Sequence, residues 1–131
     1  MPVGPDLRTD PMLAEVEAEL RRREPIFHTP EFGTTRADLE AQLDSDFWEV
    51  GASGRRYSRE YVIEQVPARG PVSSERGWET SDFYCREAGP DTYALTYTLW
   101  QEERLTRRFT LWQRTETGWK VLYHQGTIVE S

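Results

Sequence analysis

From residue 78 onward the chain reads as four successive strands, at 78–87, 93–100, 105–114 and 119–127. The links between them, Ala88-Gly-Pro-Asp91, residues 101–104 and Thr115-Glu-Thr-Gly118, are short enough for antiparallel hairpins. A meander of this kind must bury at least one face. Tyr93, Leu95, Tyr97 and Leu99 share one face of their strand, and Leu105, Arg107, Phe109 and Leu111 share one of theirs. The opposite face also carries bulk, at Trp100, Trp112 and Leu122. A sheet that is apolar on both sides needs two covers. Helices can supply one, and a second copy of the chain the other, so a homodimer through the outer sheet face, with Trp100 and Trp112 in the interface, is expected.

The helices come first in the chain. Asp10-Pro11 is a helix start, with Leu13, Val16 and Leu20 at helical spacing and Pro25 as the stop. Thr35-Arg-Ala-Asp38 resembles a capping box and opens a second helix whose buried side is Leu39 and Leu43. A short strand, Asp46-Phe-Trp-Glu-Val50, turns at Gly51-Ala-Ser-Gly54, and Ser58 caps a third helix that Pro67 ends. Residues 68–77 have the composition of a loop. This predicts an α+β domain over residues 11–131, preceded by a disordered tail at 1–10.

Charge and composition exclude several classes. With 131 residues and a net charge of −7, the chain is one domain with no basic surface for nucleic acid. The single Cys85 has no partner for an internal disulfide, and the two His lack metal-ligand spacing. Neither a metal nor a cofactor is therefore expected. The first residues show no charged-then-apolar leader, and no apolar run approaches the ~20 residues of a membrane span. A cytoplasmic protein is the simplest expectation.

The order of elements and three local segments carry a resemblance. Asp46 to Gly54, then Tyr57-Ser-Arg-Glu-Tyr-Val-Ile63, look like the strand, Gly-x-x-Gly turn and helix of the nuclear transport factor 2-like superfamily, which has the cystatin-like fold. Thr110-Leu-Trp-Gln-Arg114, Gly118-Trp119 and His124-Gln-Gly-Thr127 resemble the paired C-terminal strands of its small bacterial branch of unknown function. The resemblance implies three helices packed on a strongly curved antiparallel sheet, a cone with a pocket at its wide end. Relatives of that type include ketosteroid isomerase, SnoaL-like cyclases, dehydratases and non-catalytic modules, so fold alone does not select a function.

Candidate site residues follow from both readings. In isomerases of this type the carboxylate base sits before the Gly turn. That place falls on Gly51 here, with Glu49 two residues earlier on the same strand face. Glu49 is thus a candidate base, or a local partner of the turn. The Tyr of the first helix that serves as oxyanion donor is absent, which leaves Tyr61, Tyr84, Tyr97 and Tyr123 for that part. His28, in the aromatic loop after the first helix, is a second candidate acid or base, or an anchor for its loop. The last strand begins apolar and ends polar, so Tyr123 and Gln125, with Tyr97, Trp78 and Tyr84, are candidate ligand contacts for a small apolar or aromatic molecule. Strict alternation puts His124 on the outer face, and a bulge near Gly126 would turn it into the pocket. Three functions stay open: a small-molecule binding domain, a cofactor-free isomerase, cyclase or dehydratase, and a dimeric interaction module.

Overall fold

The computed structural model describes residues 3–27, 32–33, 35–69 and 77–130. Asp10 opens the helical part as expected. Its carboxylate accepts the Met12 N–H at 2.9 Å, and a one-turn 3-10 segment (Pro11–Leu13) leads into α1 (Ala14–Arg22). Glu15 and Glu17 lie in the first turn of α1 and Arg21 and Arg22 in its last, each complementing the helix dipole. The capping box at Thr35 and Asp38 is complete and starts α2 (Arg36–Gln42). Ser58 Oγ accepts the Tyr61 N–H at 3.1 Å and starts α3 (Arg59–Arg69). Pro67 does not stop α3: the helix passes through it to Arg69. So near the end, a proline removes little of the hydrogen-bond ladder.

The strands are β1 (Leu43–Val50), β2 (Arg56–Ser58), β3 (Trp78–Gly89), β4 (Thr92–Gln101), β5 (Arg104–Thr115) and β6 (Gly118–Ile128). They form one open sheet in the order β2-β1-β6-β5-β4-β3. The meander from β3 to β6 is antiparallel, as its short links require. One pair departs from the antiparallel expectation: β1 lies parallel to β6, because the chain between them contains α3 and the whole meander. None of the described helices is long and apolar enough to cross a membrane.

The inner face of the sheet packs under the helices. Tyr93, Leu95, Tyr97 and Leu99 of β4 are buried there with Leu20 of α1, Leu39 of α2 and Val62, Ile63 and Val66 of α3. Trp112 belongs to this core and not to an outer interface: it is 2% exposed, and its register partner is the inward Tyr93. The β4–β5 register sets odd-numbered residues of β4 opposite even-numbered residues of β5, so Trp112 faces inward and Trp100 outward. Trp100 is 42% exposed on the outer face beside Leu105.

Two bulges decide which residues face inward. In β6 the extra residue is Leu122: Leu111 pairs with Tyr123, but Trp112 pairs with Val121. Parity therefore switches between Val121 and Tyr123. His124 and Gly126 turn inward opposite Thr110 and Arg108, while Tyr123 and Gln125 turn outward. In β3 the register shifts between Ser81 and Tyr84, where Asp82 takes a left-handed φ of 57°. This puts Trp78 and Tyr84 on opposite faces, contrary to the shared face that alternation predicts. Phe83 stacks on Tyr97 at 4.9 Å instead.

Candidate functional site

A buried carboxylate organises the interior. Glu24 follows the end of α1 and is 4% exposed. It accepts the Tyr97 hydroxyl at 2.8 Å, the Trp112 indole N–H at 3.0 Å and the Ile26 backbone N–H at 3.2 Å. The Thr110 side chain bonds to it as well. Burial pushes the Glu24 carboxyl above the usual carboxylate range, against the pull of those donors. Burial, followed by the nearby Glu24, likewise holds the Tyr97 phenol well above its ordinary value. Tyr97 is thus a fixed, neutral hydroxyl.

The network continues along β5 and β6. Thr110 Oγ1 is 2.9 Å from His124 Nδ1, and His124 Nε2 is 3.5 Å from Arg108 Nη1. A guanidinium only donates. That assigns Nε2 as the acceptor and Nδ1 as the protonated nitrogen, which donates to Thr110 while the Thr110 hydroxyl donates to Glu24. The buried carboxylate thereby orients His124 through one intervening hydroxyl. Arg108 is held from its other side, where Nε donates to Thr106 Oγ1 at 2.9 Å. Gly126 makes room for it, since a Cβ there would lie 2.9 Å from Nη1 and 3.0 Å from Cζ. Burial lowers the Arg108 pKa from its ordinary value, and the neighbouring Arg104 acts in the same direction.

Above these groups lies a cavity of about 280 Å³, just below the ~300–1,000 Å³ typical of ligand sites. Tyr97, Leu99, Arg108 and His124 line it from the sheet, Ile26 and Phe27 from the segment after α1, and Glu49, Ser53 and Tyr57 from the β1–β2 side. Glu49 is the register partner of His124 across the parallel β1–β6 pair. The structure thus brings Glu49, Tyr97 and His124 together. His28 lies outside the described residues.

The remaining candidates lie elsewhere. Tyr123 packs at a tilt against Trp48, with ring centroids 4.9 Å apart, on the outer face, and its hydroxyl donates to Gln125 Oε1. Gln125 borders a second groove with Phe109, Thr127 and Leu7, whose lining shares Tyr97 and Arg108 with the cavity. Trp78 packs on the edge of the core, and Tyr84 borders a shallow depression formed with residues 8–13. Among the described residues no group of three or more His, Cys, Asp or Glu side chains converges as a metal site would require.

Sequence reading missed Glu24, Arg108 and Thr110. The signal for the last two was present as the alternate register of β5, in which Thr106, Arg108, Thr110 and Trp112 share a face. Glu24 had no periodic signature, because its place is fixed by the chain direction after α1.

No protein-family model matches this chain, and no curated protein matches it. Solved structures do. An NTF2-like protein from Cytophaga hutchinsonii superposes with a TM-score of 0.66 at 16% identity, over 92% of this chain and 100% of that one. A cystatin-like fold protein from Burkholderia xenovorans gives 0.69 at 14% identity, over 98% and 99%. A protein of unknown function from the DUF3225 family of Pectobacterium atrosepticum gives 0.66 at 18% identity, over 95% and 96%. At such identities the likeness speaks to architecture: an α+β sheet with three helices on its inner face. The chain has the nuclear transport factor 2-like, cystatin-like fold.

Proposed function

We propose that the domain binds a small organic molecule in the cavity between the helices and the inner face of the sheet. The observation that carries this reading is the convergence of Arg108, His124 and Glu49 with Phe27, Ile26 and Leu99 on one partly enclosed space. Ligand sites of this kind combine an apolar wall with a few fixed polar groups. The Glu24 network holds His124 and Tyr97 in place before any ligand arrives, so little ordering cost falls on binding. The ligand has an aromatic or apolar body, as the Tyr97, Phe27 and Leu99 side of the cavity requires. Saturation of the purified protein with a small-fragment library, followed by amide chemical shifts, tests the reading. Perturbations centred on Glu49, Arg108 and His124 support it.

A cofactor-free isomerase, cyclase or dehydratase is the second reading. It is favoured by the placement of Glu49 directly across from His124 on the cavity wall. Glu49 would take a proton, and Arg108 would steady the developing oxyanion, since the Tyr97 hydroxyl already donates to Glu24. Glu49→Gln should then abolish turnover while leaving ligand affinity and folding intact, and retained turnover would remove Glu49 from the chemistry.

The outer face supports a dimer in this proposal. Trp48 and Trp100 are 44% and 42% exposed there, and Tyr123 lies between Trp48 at 4.9 Å and Phe109 at 6.1 Å. Replacing both tryptophans by serine should convert a dimer to a monomer in sedimentation experiments.

A further inference from the structure

We infer that the cavity recognises a carboxylate-bearing ligand, with Arg108 as the anchor for its anionic group. The inference rests on the small-molecule reading above and adds the ligand's chemical class. Three observations carry it.

The first is donor accounting. A guanidinium has five N–H donors. Among the described residues, Arg108 bonds to Thr106 Oγ1 and to His124 Nε2, which engages two of them. Glu24 and Glu49 act on Arg108 electrostatically. A carboxylate takes two parallel N–H donors from one guanidinium, which matches what Arg108 has left.

The second is charge. Among the described residues that line the cavity, two carry guanidinium groups, Arg108 inside and Arg104 at the exposed rim, and one, Glu49, carries a carboxylate. The protein as a whole carries −7. The two guanidinium groups of the lining attract anions into a space whose low-dielectric walls focus their field.

The third is the cradle. The inward turn of β6 after Leu122 places Gly126 under Arg108, where a side chain would meet the guanidinium at 2.9 Å. His124, oriented from behind by Thr110 and Glu24, fixes one end of the same group. Held in this way by Thr106, His124 and Gly126, the guanidinium lines the cavity.

The test uses benzoate and its neutral counterpart benzamide, whose planar bodies are nearly the same. Both are titrated into the full-length protein labelled with ¹⁵N, with the Arg108 Nε–H and His124 ring resonances as readouts. Benzoate should saturate and shift both resonances, and benzamide should bind about tenfold more weakly or worse, as charge-assisted hydrogen bonds imply. Arg108→Gln should erase the preference. Should that variant misfold, Arg104→Gln at the rim should weaken benzoate alone. Equal affinities for the two probes at cavity resonances would overturn the anion inference and leave the cavity reading standing. Failure of both probes to move any cavity resonance would overturn both.

Discussion

Removing the Glu24 carboxylate should destabilise the domain more than any surface change. In Glu24→Ala the Tyr97 hydroxyl and the Trp112 indole N–H lose their acceptor, and these residues are only 3% and 2% exposed. Each orphaned buried donor costs about 1–3 kcal/mol, so the pair is worth roughly 2–6 kcal/mol. In urea, with a slope of about 2 kcal/mol/M for a small domain, the midpoint should fall by about 1–3 M. Glu24→Gln keeps one acceptor oxygen and the side-chain shape, and should cost roughly 1–2 kcal/mol. Its pH dependence has a defined sign. Because burial raises the native carboxyl above the unfolded one, the native state binds the proton more tightly. This contribution to stability is full below the unfolded carboxylate's range and is lost as pH rises through the native value. The advantage of wild type over Glu24→Gln should therefore widen as pH falls from neutrality. A cost below about 1 kcal/mol for Glu24→Ala, or a gap that narrows on acidification, would refute the role given to this network.

Three further outcomes follow from the same geometry. Gly126→Ala should fold with a loss under about 2 kcal/mol, since Arg108 can swing away from the new Cβ. Its benzoate affinity should nonetheless fall, and an unchanged affinity would separate Gly126 from the Arg108 cradle. The β4–β5 turn holds Glu102 and Glu103 at φ of 52° and 62°. Asn-Gly there should raise stability by about 1 kcal/mol in thermal unfolding, because both residues accept that geometry without strain. Cys85 is buried and its thiol is pushed up to about 11 by burial and by Glu17. It should react with a thiol reagent only after denaturation.

Much of the fold was legible because each element carried a local signal. The caps at Asp10, Thr35 and Ser58 fixed the starts of helices, and the short links fixed the hairpins of the meander. The alternation of Tyr93, Leu95, Tyr97 and Leu99 identified the buried face of β4. The site was less legible for a geometric reason. A single inserted residue, Leu122, reverses the faces of β6, and no residue type at that position announces it. That one shift moved Tyr123 and Gln125 out of the cavity and His124 into it. The same limit hid Asp82 in β3, where a left-handed aspartate separates Trp78 from Tyr84. Glu49 came from the resemblance, as the carboxylate two residues before Gly51 on the same strand face, and it lines the cavity. Glu24 and Trp112 meet across a separation of 88 residues, and only the folded chain brings them together.

The central claim is that the inner face of the sheet holds a ligand, and amide chemical-shift mapping with a small-fragment library tests it most directly. The account predicts fragments whose shifts converge on Glu49, Tyr97, Arg108 and His124. Shifts confined to Trp48, Phe109 and Tyr123 on the outer face, with the cavity residues unmoved, would contradict it.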